Sequence, residues 1–277
     1  PLPVLVQKSD GGYLYHTTDL AALRYRHNVL HADRILYFTD ARQNLHFRML
    51  FAVARAGEFI PKTTKLEHHP FGKLLDGDGR PFRSRDGSTI PLAKLVEQAH
   101  ERANALVRSK SSNLDQTEFD EVVHAIAIGA IKYADLSKNR LNDYTFDWDS
   151  MLAFEGNTAP YLQYAFARIQ SLFVRSDVKA TSYREDIVLE TQIERDLALQ
   201  LCRFQETLEL VGRDAMPHHL CAYLYELTSH FMRFYETCPV LEAPEKARKS
   251  RLALCAETAK TLETGLDCLG IATVTRM

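Results

Sequence analysis

YLYHTTDLAALRYRHNVLHADRILYFTDARQNLHFRMLFAVARAGEFIPKTTKLEHH, residues 13–69, alternates short apolar runs with helical spacing. YLYHT, at residues 13–17, reads as a strand. Thr17 or Thr18 can then cap a helix that runs to about Leu30 and carries Leu20, Leu23 and Tyr25. RILYFT, at residues 34–39, reads as a second strand, and residues 44–56 as a helix that stops at Gly57. KLEHH, at residues 65–69, would be a third strand. Strand, helix, strand, helix, strand with short connections is the signature of a parallel sheet in a doubly wound α/β fold. Open sheets of that kind bind ligands outside the carboxyl ends of their strands.

After Pro91 the pattern turns helical. LAKLVEQAHERANALV spaces Leu92, Leu95, Val96, Ala99, Ala103 and Leu106 near the 3.6-residue period, and EFDEVVHAIAIGAIKYADL continues it. DYTFDWD, at residues 143–149, reads as a short non-helical joint. Beyond Gly156 the helical segments are roughly 159–174, 183–211, 218–238 and 243–269, punctuated by Pro217, Pro239 and Pro244. The expected architecture is α/β followed by an all-α bundle.

A chain of 277 residues with 45% hydrophobic and 25% charged residues can bury a large core, and holds no apolar run long enough to span a bilayer. With a net charge of −2, a polyanion would have to be met by local basic patches, such as Arg80 to Arg85, Lys132 to Arg140 and Lys246 to Arg251. The five cysteines lack metal spacing and read as buried free thiols in a reducing compartment. The opening PLPVLVQKSDGG is no secretory leader and lacks an initiating Met, which suggests an internal start.

Several constellations could carry chemistry. Tyr15 and Asp19 would sit where the crevice opens, and a carboxylate there can accept a bidentate pair from a planar cation beside the phenol. The same two residues also suit a helix start and a packed strand, and pattern alone leaves that reading standing. Gln43 and His46 hold the equivalent place one unit later, as substrate contacts or as ordinary solvated polar groups. In LEHHPFG the adjacent histidines point to opposite faces and make a poor chelate, so no metal site is expected; Gly72 would let a ligand such as adenine approach the backbone. PFRSRDG, with Arg83, Ser84 and Arg85, could close on a triphosphate, although basic turns are common and no Walker loop exists in the chain. In YLQYAFAR, Tyr164 and Arg168 share a helix face with Tyr161 one turn away, either as core or as a platform for splayed bases.

Together and in this order, these segments resemble bacterial-type arginyl-tRNA synthetase, a class I aminoacyl-tRNA synthetase. The resemblance runs through GGYLYHTTD, LHADRILYFTDARQNLHF, LEHHPFG, PFRSRDG, AIGAIKYADLSKNR, DYTFDWDSMLAFEGNTAPYLQYAFAR and LGIATVTRM. It implies the carboxy-terminal part of a Rossmann-type catalytic domain over residues 1–97, a helical connecting region over 98–152, and a DALR-type anticodon-binding bundle over 153–277. It implies that Tyr15, Asp19 and Gln43 hold L-arginine, while His46, His68, Phe71 and Gly72 surround the adenosine of ATP. In the degenerate KMSKS-like loop, Ser84 and Arg85 stand where the motif has its second Ser/Lys pair, and Phe82 replaces the first Lys. That loop would stabilise departing pyrophosphate as arginyl-adenylate forms. Tyr164, Arg168, Tyr235 and Met277 would lie near the anticodon loop, although Val274 to Met277 departs from the usual P-x-R-M ending.

The resemblance further implies ATP as substrate with Mg2+, tRNA(Arg) as partner, no membrane, a monomer and a cytoplasmic location. The HIGH motif and the amino-terminal tRNA-elbow domain are absent from the sequence and would precede Pro1, so the chain is expected to be a carboxy-terminal portion, inactive alone, of an arginine–tRNA ligase. The alternative is a non-catalytic tRNA-binding or regulatory paralogue.

Overall fold

The structure, a computed structural model, describes residues 4–75, 92–110, 114–145, 147–178, 180 and 183–277. The chain divides into two compact units, one of Pro1–Leu74 with Arg140–Tyr144, the other of Leu75–Asn139 with Thr145–Met277.

In the first unit, α1 spans Tyr15–Asn28 and buries Leu20 and Leu23. The strand expected at YLYHT does not form. Tyr13 makes only an isolated bridge to Gln7, and Tyr15 already begins the helix. The aromatic alternation was misleading, because Tyr13 and Tyr15 are 67% and 61% exposed and pack as neither face of a sheet would. Nor do the threonines cap: the N-cap is Leu14 without a side-chain bond, and Thr18 Oγ1 donates back to Tyr15 O at 2.8 Å.

Strands β1 (Arg34–Asp40) and β2 (Lys65–Phe71) pair in parallel, from Arg34 opposite Lys65 to Asp40 opposite Phe71. Between them the Asp40 side chain accepts from Arg42 N and caps the 3-10 turn Ala41–Gln43, which leads into α2 (Asn44–Ala56). Helix α2 ends at Gly57, as its sequence predicts. Ile35, Phe47, Leu50, Ala54 and Ile60 close the core with α1. Residues 140–144 return to this unit, where Gly72 N donates to Arg140 O at 2.7 Å and Lys73 N to Asp143 Oδ1 at 2.6 Å.

The second unit is helical: α3 (Leu92–Lys110), α4 (Gln116–Leu136), α5 (Trp148–Met151), α6 (Ala159–Ser176), α7 (Gln192–Cys202), α8 (Phe204–Asp214), α9 (His218–Thr237) and α10 (Glu245–Cys268). The joint expected at 143–149 holds Tyr144–Thr145 as a short strand and the start of α5. The single helix expected over 183–211 is two, because the chain turns at Arg203, and residues 183–190 are not helical. Helix α7 starts at a capping box in which Thr191 and Glu194 each accept the other's backbone N–H. The core gathers α6, α7, α9 and α10, with Tyr133 OH donating to Cys221 O at 2.9 Å. Cys221, Cys238 and Cys255 are buried as expected, whereas Cys202 and Cys268 are exposed. Among the described residues no helix is long and apolar enough to cross a membrane.

Helix α10 ends in a Schellman turn. Ile271 N donates to Leu266 O at 2.9 Å and Gly270 N to Asp267 O at 2.8 Å, with Gly270 at φ +66°. The chain then runs on through buried Ile271 and Val274 to Met277.

Candidate functional site

In the first unit, side chains converge at the carboxyl ends of β1 and β2. The first turns of α1 supply Tyr15, His16 and Asp19, α2 supplies His46 and Phe47, and β2 supplies His68. His46 Nε2 meets Asp19 Oδ2 at 2.8 Å, with the His46 side chain 13% and Asp19 34% exposed. The Tyr15 ring lies 4.1 Å from His16 and 5.1 Å from His46, and His16 meets His46 edge-on at 4.8 Å. The Nδ1 atoms of His16 and His46 are buried without a partner among the described residues. His68 stacks on Phe47 at 4.7 Å, and its Nε2 lies 2.8 Å from Thr39 Oγ1. Burial lowers the His68 pKa, helped by neighbouring His69 and His46, which favours the neutral ring.

Of the sequence-predicted residues, Tyr15, Asp19, His46 and His68 thus gather in one cluster. Gln43 stands exposed at the N-cap of α2, while His46, not Gln43, holds the Asp19 carboxylate. Phe71 ends β2 and is 42% exposed. Gly72 has a different reason from the one its sequence suggests: a Cβ there would stand 2.4 Å from Asn142 O, so the close backbone approach is made by the returning chain. Its N–H is likewise spent on Arg140 O. Phe82, Ser84 and Arg85 lie outside the described residues. The two histidines of β2 do face apart. His69 joins a separate network, with Nε2 2.8 Å from Glu67 Oε2 and Nδ1 2.8 Å from Arg140 Nη2, while Arg34 grips Glu67 through two bonds of 2.7 and 2.8 Å. His16 was missed by sequence reasoning, since a lone imidazole in a presumed strand carries no positional signal.

The second unit holds a cavity of about 600 Å3 whose walls include Tyr164, Arg168, Val174, Tyr235, Arg276 and Met277. Tyr164 and Arg168 are one turn apart on α6, and Arg168 Nη2 donates to Tyr164 OH. The guanidinium also lies 4.6 Å over the Tyr164 ring and 5.2 Å from the Tyr235 ring of α9. Tyr161 is turned to the other side, packed against the core with its ring 6.0 Å from Tyr225. All the predicted residues of this second group, Tyr164, Arg168, Tyr235 and Met277, therefore border one cavity. Two half-buried phenols and a guanidinium around a cavity can stack on planar rings and meet an anion.

Comparison with known proteins gives a family for each part of the chain. Residues 1–148 match the family of class I (R) tRNA synthetase catalytic domains, and residues 162–277 match the DALR anticodon binding domain. The chain is similar to the arginine–tRNA ligase of Proteus mirabilis, with 50% identity over 100% of this chain and 48% of that relative. It is 51% identical to the same-named protein of Actinobacillus succinogenes, over 100% and 48% respectively. Among solved structures, arginyl-tRNA synthetase from Plasmodium falciparum superposes with a TM-score of 0.85 and 31% identity, covering 100% of this chain and 47% of that one. The Thermus thermophilus arginyl-tRNA synthetase gives 0.85 and 25%, covering 100% and 52%. The chain spans about half the length of the curated relatives it matches.

Proposed function

The chain belongs to the class I (R) tRNA synthetase family, with a DALR domain after its catalytic part, and on that premise we propose that it serves an arginine–tRNA ligase. In the proposed reaction the carboxylate of L-arginine attacks the α-phosphate of ATP, pyrophosphate leaves, and the arginyl group passes from the adenylate to the 3′ end of tRNA(Arg). Mg2+ enters with the triphosphate, whose oxygens suit that hard cation.

The observation that carries this reading is the placement of Asp19 and Tyr15, one helical turn apart on α1 and both against His46. His46 engages Asp19 Oδ2, and we assign Oδ1 to the arginine guanidinium with the Tyr15 ring as one wall. A planar cation on a partly buried carboxylate makes strong charge-assisted bonds. The unpartnered Nδ1 atoms of His16 and His46 support a ligand in this cluster, because a buried polar atom without a bond is costly unless something binds there. His46, His68 and Phe71 would border the adenosine, and Ser84 with Arg85 would meet the phosphates. For Gly72 the backbone N–H is already occupied, so its contribution is to admit the Asn142 turn. Gln43 would close the arginine pocket from the N-cap of α2.

Tyr164, Arg168, Tyr235 and Met277 would receive the anticodon loop, with residues 98–152 as a connecting region between the catalytic part, 1–97, and the bundle, 153–277. A monomer working in the cytoplasm completes the proposal. The test is tRNA(Arg) charging by the full-length protein and its Asp19→Ala variant. The arginine KM should rise by about tenfold or more, and by more than the ATP KM, which moves only through the His46 that Asp19 holds, as loss of a charged hydrogen-bond partner implies. An unaltered arginine KM removes Asp19 from the pocket.

A further inference from the structure

Gln163 is 0% exposed on the buried face of α6, which also carries Leu162 and Ala165. A leucine would fill such a place without desolvating an amide. The amide instead reaches two backbone carbonyls: Nε2 donates to Ala125 O of α4 at 3.1 Å and to Ala272 O at 2.8 Å. Its Oε1 is buried with no partner among the described residues. A half-satisfied buried amide disfavours the fold unless its donors do something needed.

What those donors hold is the segment after α10. Gly129 makes room for the contact, because a Cβ there would stand 3.0 Å from Gln163 Nε2 and 3.2 Å from Ile271 Cγ2. One turn further along α4, Lys132 Nζ donates to Gly270 O. Ile271 and Val274 then dock at 3% and 6% exposure, after which the chain leaves the core. Glu118 of α4 braces Arg276, with both carboxylate oxygens 3.1 Å from Nη1. Thr275, Arg276 and Met277 thereby become a wall of the cavity that Tyr164, Arg168 and Tyr235 form from α6 and α9.

We infer that Gln163 is a positioning residue for that cavity: it fixes the Gly270–Met277 segment, with Lys132 as a second clamp, so that Thr275–Met277 complete the surface facing the tRNA. The inference rests on the reading that this cavity receives tRNA. It assigns Gln163 no contact with nucleic acid; its effect passes wholly through the segment it holds.

That indirectness makes it testable by a double-mutant cycle on the full-length protein, using fluorescently labelled tRNA(Arg) and following thermal melting in parallel. Gln163→Met and deletion of Thr275–Met277 should each weaken binding about fivefold or more, while the combination should be within about twofold of the deletion alone, because coupled sites are non-additive. Additive losses, or binding that ignores Gln163→Met, overturn the inference. Lys132→Met alters an exposed side chain and serves if Gln163→Met fails to fold; it should weaken binding about threefold in the otherwise unaltered protein without shifting the melt, but hardly at all in the Thr275–Met277 deletion, and an equal loss in both, as lost charge alone would give, or no loss in either overturns the inference. An unaltered chain that binds no tRNA(Arg) overturns the cavity's reading instead, a separate outcome from the other two.

Discussion

Replacing Glu194 by Gln should destabilise the helical unit, because this carboxylate holds three separate pieces of chain. Its Oε2 accepts from Glu190 N at 2.7 Å and Thr191 N at 2.8 Å, and its Oε1 accepts from Arg251 Nε at 2.7 Å. Arg251 in turn donates to Pro239 O at 2.8 Å, so the start of α7, the turn after α9 and the body of α10 meet at one ion pair. The two side chains are only 2% and 12% exposed. Breaking a buried pair costs about 3–5 kcal/mol, and the glutamine oxygen retains one acceptor while Arg251 keeps some access to water, so about 2–3 kcal/mol is expected. For a unit of this size that lowers Tm by about 4–12 °C. Burial pushes the Glu194 carboxyl up, but the bonds from Arg251, Thr191 and Glu190 outweigh it and leave the pKa below the ordinary glutamate value. A depressed folded pKa stabilises above the unfolded value, and that stabilisation is lost as pH falls through the folded one. The gap between wild type and Glu194→Gln should therefore be full at neutral pH and close in acid. Urea denaturation followed at 222 nm from neutral pH into acid measures this. A neutral-pH difference under about 1 kcal/mol, or one that persists undiminished in acid, would refute the reasoning.

Gly72→Ala should lower stability by about 1–3 kcal/mol, since its Cβ would overlap Asn142 O and the shift must be taken by backbone; calorimetric melting reads it, and a neutral effect would mean the 140–144 return yields easily. Tyr164→Ala should weaken tRNA binding by about 1–3 kcal/mol, the range for one stacked base, with the melting curve unchanged. Equal affinity in filter binding would leave the phenol as packing for Arg168 alone.

The α/β-then-helix order was legible because β1, α2 and β2 are bounded by their own residues. Asp40 caps the turn into α2, and Gly57 ends it. The first helix was misplaced because alternating tyrosines look like a strand when one cannot see that no partner lies beside them. The break at Arg203 was invisible for another reason: neither proline nor glycine marks it, and apolar spacing continues on both sides. Tyr164 and Arg168 could be paired from helical spacing alone, but Tyr235 and Met277 came from resemblance. The role of Gln163 was hidden altogether, because its partners are backbone carbonyls 38 and 109 residues away.

The distribution of thiols gives the helical unit an internal reporter. Cys221 and Cys255 are fully enclosed, and burial pushes the Cys221 thiol up to about 12 and that of Cys255 in the same direction, so neither offers a thiolate to an electrophile while the helices stay packed. Cys202 and Cys268, at the ends of α7 and α10, are open to solvent. Alkylating reagents and mild oxidants will mark those two helix ends first, and modification of α9 and the middle of α10 will register only when the bundle comes apart.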